Sequence, residues 1–139
     1  MRSFCFSAIL AASFLGAMGT SKAELPPQVY AEQQRKAGEV LKIRADEVVS
    51  KAKGFFDRSS YTETVTATVL EVSRSQSKVK KGDVITIKYE RLVPKAGWVG
   101  PSPAPKLEKG GHYTAYLGKG EDGTFSLSAQ GMSFAKLGD

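Results

Sequence analysis

Among 139 residues there is one cysteine, Cys5, and one histidine, His112. With one thiol, no internal disulfide can form, so the fold must rest on a hydrophobic core. One imidazole and one thiol also fall short of the usual zinc ligand sets, and no alternating run of oxygen ligands marks a calcium loop. No Gly-rich phosphate cradle of the Walker or dinucleotide type is present, so nothing predicts a nucleotide cofactor. No Gly-x-Ser-x-Gly elbow accompanies the many serines, and His112 stands at the start of a strand pattern beside Gly110-Gly111. The sequence therefore predicts no catalytic residue, no metal and no cofactor, and a protein that is not an enzyme.

Long apolar runs are scarce too. The only one, Phe4 to Met18, is about fifteen residues, shorter than the roughly 20 that a spanning helix needs. It follows Arg2 and precedes Ser21-Lys22-Ala23, a small-x-small site, which reads as a secretory signal peptide over residues 1–23. Cys5 sits at the start of that run, not after it, which argues against a lipid anchor on the thiol. Removing residues 1–23 leaves 116, one domain of ordinary size. Arg2 and Lys22 leave with them and no acid does, so the net charge falls from +6 to +4. An exported domain without cysteine suits a bacterial periplasm or secretion into the medium, with no membrane span after cleavage.

What is present is strand. Thr64 to Val72 is dense in β-branched residues, and Asp83 to Glu90 alternates apolar and polar side chains. Lys81-Gly82-Asp83 closes the two into a hairpin. Ahead of them, Pro27 suits the first turn of a short helix, Gln28 to Ala37, that Gly38 ends. Glu39 to Lys53 reads two ways. Leu41, Ala45, Val48 and Ala52 have helical spacing, while Leu41, Ile43 and Ala45 alternate with Lys42, Arg44 and Asp46. Gly38 would interrupt one long helix at about 1 kcal/mol, and the following hairpin favours a strand over Glu39 to Val49. Lys51 to Ser60 is then a loop with Phe55 and Phe56 near its tip.

Leu92 to Gly111 holds Pro94, Pro101, Pro103 and Pro105, which exclude a helix or a central strand. Irregular connections of that length are often functional. His112 to Leu117 and Thr124 to Ala129 form a last hairpin around the turn Gly118 to Gly123, and Met132-Ser133-Phe134 packs the chain end. The fold class expected is mainly β, a small five-stranded, nearly closed barrel with a short N-terminal helix.

The order of elements, with Val65-x-Ala67-x-Val69-x-x-Val72, Lys81-Gly82-Asp83-x-Ile85-x-Ile87 and Leu107-x-x-Gly110-x-x-Tyr113-x-x-Tyr116-Leu117, resembles an OB-fold barrel of the netrin-like type found in tissue inhibitors of metalloproteinases (TIMP). These stretches cover about half of residues 24–139. The chain is also similar to bacterial exported proteins that begin Pro-Pro-x-Val-Tyr, here Pro26 to Tyr30, and carry Gly-Trp-Val-Gly-Pro, here Gly97 to Pro101. The resemblance implies an OB-like barrel and leaves a protein-binding use of it open. The animal inhibitors chelate the protease zinc through a mature amino-terminal cysteine, whereas this mature chain starts at Glu24 and has none, so that mode of inhibition is not implied.

Two surfaces compete for function. Trp98, between glycines on a proline-stiffened loop and followed by Val99, is a low-entropy apolar anchor for another envelope or secreted protein, with Phe55 and Phe56 as neighbours. The alternative for Trp98 is a cap folded over the barrel end. The second surface is Lys78, Lys80 and Lys81, which with Tyr89, Tyr113 and Tyr116 would form a basic aromatic face for a glycan or polyanion. Export removes nucleic acid from the expected partners. Glu121-Asp122-Gly123 reads as a hairpin turn.

Overall fold

A computed structural model describes residues 24–56 and 58–138. The expected signal peptide, residues 1–23, lies outside the described residues, as does Asp57 of the loop beyond Phe56. The elements run α1 (Pro27–Lys36), β1 (Glu39–Ala52), β2 (Ser60–Ser75), β3 (Val84–Leu92), β4 (His112–Lys119), β5 (Phe125–Leu127), a 3-10 turn (Gln130–Met132) and β6 (Phe134–Lys136). The sheet order β1-β2-β3-β5-β4 closes through β4 pairing back onto β1, and β6 adds to β4. All pairings are antiparallel except β3 with β5. The result is a closed five-stranded barrel with one short helix, compatible with an OB-like fold. Among the described residues no helix is long and apolar enough to cross a membrane.

The period-2 alternation of the sequence is what fills the interior. Leu41, Ile43 and Ala45 of β1 point inward with Val65, Ala67 and Val69 of β2, Ile85 and Ile87 of β3, and Ala115 and Leu117 of β4. Each fully buried Leu or Ile contributes roughly 1.5–3 kcal/mol. Glu39–Val49 is therefore strand. Its alternation, not the helical spacing, matches the buried set, and the strand continues to Ala52. Register shifts at Val40/Leu41, Lys42/Ile43 and Ala45/Glu47 let β1 bend around the barrel. Asp46 is the extra residue at the last of them. Its carboxylate accepts from the Thr68 hydroxyl and, at 2.7 Å, from Arg44 Nε, and these bonds hold it below the usual aspartate range.

Several boundaries differ from expectation. β2 begins at Ser60 and runs 16 residues, far past its hairpin with β3, because its last third pairs with β1 alone. β5 is only three residues, and Phe134 opens a short sixth strand where the sequence suggested only a packed end. α1 keeps only Tyr30 buried, with Ala37 just beyond it. Arg74 donates from Nε to the Ala37 carbonyl (2.8 Å) and from Nη2 to that of Gln34 (3.1 Å), satisfying the orphan carbonyls at the helix end.

Candidate functional site

The β1–β2 and β3–β4 loops emerge at one end of the barrel, and the β2–β3 and β4–β5 connections at the other. At the first end the backbone is pinned close to the barrel. Lys53 N donates to the Ser60 carbonyl (3.0 Å) and Val93 N to that of Ser59 (2.8 Å). Beyond those bonds Phe55 and Phe56 are each 94% exposed, their rings edge to face at 5.1 Å. Phe56 shares a shallow depression with Arg58, Val93, Pro94 and Lys95, so the two loops meet. Lys95 to Trp98 is a turn, closed by Trp98 N on the Lys95 carbonyl (3.1 Å), with Gly97 at φ +85°, a conformation glycine adopts freely.

Trp98 is 45% exposed. Its Nε1 donates to the Pro101 carbonyl (3.1 Å), and its ring lies so close over Gly100 that an added Cβ would fall 2.7 Å from Cε2. The indole is thus held by its own loop and does not cap the barrel. Leu107 does that, 2% exposed and part of the core. Tyr89 Oη donates to the Pro105 carbonyl (2.6 Å) and Glu108 N donates to Tyr113 Oη (2.9 Å), which seats Leu107 between them. Phe55, Phe56, Trp98 and Val99, together with Leu92 and Val93, are large exposed apolar groups. Phe56 adjoins Val93 to Lys95, while Trp98 lines a separate groove with Leu92, Pro101 and Leu127.

Beneath this end lies a feature that sequence reasoning missed. Glu63 is fully buried and receives Arg91 Nε at 2.7 Å and Ser50 Oγ at 2.6 Å, while the guanidinium carbon sits 4.7 Å from the Tyr61 ring centre. The Glu63 to Tyr89 register explains why. In strand alternation Glu63 occupies an inward position between Tyr61 and Val65, and that signal was available. Burial, with the Glu63 charge beside it, pushes the Tyr89 hydroxyl well above its ordinary range.

At the other end, Lys78, Lys80 and Lys81 are exposed in the β2–β3 connection, with Lys78 at φ +62°. Asp83 N returns to the Lys80 carbonyl (3.0 Å) and its Oδ2 accepts from Lys80 N (2.9 Å), which makes a tight turn with Gly82 at φ +91°. A depression of about 480 Å³ beside it is lined by Lys78, Lys119, Asp83 and Asp122, so its charge is mixed. Asp122 accepts from the Thr124 hydroxyl (2.7 Å) and amide (3.1 Å), which lowers its pKa and makes Glu121 to Gly123 a self-satisfied hairpin turn. The tyrosines expected to join the lysines do not. Tyr89 and Tyr113 point into the core, driven there by the same alternation that buries Ile87 and Ala115, and only Tyr116 stays partly accessible. Glu39, 1% exposed, anchors the connection by accepting from Ser77 N (2.9 Å).

His112 is exposed at the start of β4, and its side chain has no hydrogen-bond partner among the described residues. Among the described residues no three His, Cys, Asp or Glu side chains gather as a metal site. Compared with family models, curated proteins and solved structures, the chain matches none of them.

Proposed function

We propose that this is an exported, non-enzymatic binding module that contacts another envelope or secreted protein through the loop end of the barrel, with Trp98 as anchor and Val99, Phe55 and Phe56 around it. The observation that carries the reading is the exposure of four large apolar side chains on two adjoining loops, none of them part of the core. Interface centres are enriched in such aromatic residues, and a rigid loop lowers the entropy lost on binding. The use of the barrel would parallel that of the netrin-like domains it resembles, by surface contact and without zinc chelation. Export rests on the leader pattern of residues 1–23.

The rival is glycan or polyanion binding at Lys78, Lys80 and Lys81. What favours it is three exposed lysines on one connection; the acids Asp83 and Asp122 beside them and the burial of Tyr89 and Tyr113 weigh against it. Affinity capture from an envelope extract of the native host separates the two. A protein retained at high salt by the unsubstituted domain, and lost with Trp98→Ala, supports the first reading. Acidic polymer that washes off with salt supports the second.

A further inference from the structure

The barrel is sealed unevenly between β3 and β5. Among the described residues their only bridge is Ile87 with Phe125, and β5 otherwise follows β4. The β2–β3 ladder fixes which way each β3 backbone group points. Val69 N bonds the Asp83 carbonyl and Val93 N that of Ser59, so residues 83, 85, 87, 89, 91 and 93 face β2. The backbone groups of residues 88, 90 and 92 face the opposite way. Around a parallel bridge at Ile87, Phe125 takes the Lys88 N–H. The Lys88 carbonyl, both groups of Glu90 and the Leu92 N–H then meet no protein partner among the described residues.

This open edge, about 13 Å long at 3.3 Å per residue, borders a groove of about 610 Å³. Leu92, Trp98, Pro101, Pro103, Ala104 and Leu127 supply its apolar walls. The far wall is rigid. Ser102 N donates to Tyr30 Oη (2.9 Å), and the proline segment packs against Gly131 so tightly that a Cβ there would fall 2.7 Å from the Pro103 carbonyl oxygen. Unpaired strand edges are usually covered or blunted because they template pairing with another chain. Here the edge is lined with apolar surface instead.

We infer that the groove receives an extended peptide segment of the partner, added as a strand to β3, with alternate apolar side chains against Trp98 and Leu127 and a carboxylate facing Lys88. Main-chain bonds to an edge and side-chain pockets at alternate positions are the known physics of strand addition. Charge selects the carboxylate. Glu90 is already paired with Lys53, whereas Lys88 forms no salt bridge among the described residues, although its charge is felt at Asp122. The inference rests on the protein-binding reading and deepens it.

The test uses twelve-residue peptides displayed on phage and selected on the purified protein, with the strongest binder then synthesised. Glu90→Pro deletes the edge N–H without touching the β2 ladder, and Glu90→Ala controls for the lost Lys53 pair. The expected results are a tenfold or greater loss of affinity in Glu90→Pro relative to Glu90→Ala, and amide exchange at Glu90 and Leu92 slowed at least tenfold by the peptide in the unsubstituted protein. The exchange measurement decides the matter if Glu90→Pro does not fold. Equal affinity of the two Glu90 variants, unchanged exchange at Glu90 and Leu92, or no peptide selected would each overturn strand addition. Affinity that depends on Trp98 but not on the edge would leave the protein-binding reading standing, and affinity that depends on the edge but not on Trp98 would remove the anchor and keep the strand.

Discussion

The two ends of the barrel are both made of chain reversals between strands, yet they present opposite surfaces. At the turn end Lys80 to Asp83 and Gly120 to Gly123 satisfy their own backbone and leave lysines and acids in solvent. At the loop end, connections that are equally well tied at Lys53 and Val93 leave Phe55, Phe56, Trp98 and Val99 outside. The core explains neither choice, since Leu107 already closes the loop end. Exposed apolar groups beside a complete core are what the proposed interaction surface rests on. Lysines on a turn are ordinary solvated charge.

The largest effect expected is in the support beneath the loop end. Arg91→Met leaves the buried Glu63 carboxylate uncompensated and should cost about 3–5 kcal/mol in denaturant unfolding, much of it recovered in Glu63→Leu/Arg91→Met. Leu107→Ala comes next, at about 2–5 kcal/mol, because it opens a cavity at the barrel end. Trp98→Ala makes the contrast. It should weaken partner binding by roughly 2 kcal/mol or more, about thirtyfold, while unfolding shifts by less than about 1 kcal/mol. Equal destabilisation by Leu107→Ala and Trp98→Ala would erase the distinction between plug and anchor.

Smaller still is an alkaline effect. The folded Tyr89 pKa is raised, so its contribution to stability is full below the unfolded value of about 10 and is lost as pH climbs above that value toward the folded one. Thermal unfolding of Tyr89→Phe should therefore fall less between pH 9 and 11 than that of the unsubstituted protein. Least of all, replacing Lys78, Lys80 and Lys81 by alanine should change stability by about 0.5 kcal/mol or less and leave partner capture intact.

Strand alternation made most of this fold legible. It marked the alternating residues of β1 and β3, Leu41, Ile43, Ala45, Ile85 and Ile87, and it chose strand over helix for Glu39–Val49 once a hairpin followed. Proline content marked the irregular β3–β4 segment. Three things stayed hidden for physical reasons. Leu107 is a single apolar residue in a polar, proline-bounded stretch, and only the tertiary hydrogen bonds of Tyr89 and Tyr113 turn it inward. Strand tyrosines have the same pattern whether their rings face the core or solvent with their neighbours, so Tyr89 and Tyr113 read as a surface. The open β3 edge depends on β5 leaving after one bridge, which is a matter of closure geometry and has no local signature. Phe55, Phe56, Trp98 and Val99 lie on loops whose glycines and prolines keep large side chains from the core, and all four are exposed.

The decisive measurement is the affinity of a captured partner for three forms of the protein: unsubstituted, Trp98→Ala, and the triple alanine variant at Lys78, Lys80 and Lys81, each at low and high salt. Loss confined to Trp98→Ala and insensitive to salt is the result expected of a protein-binding loop end. Loss confined to the lysine variant, together with binding that collapses as salt is raised, would contradict it and move the function to the opposite end of the barrel.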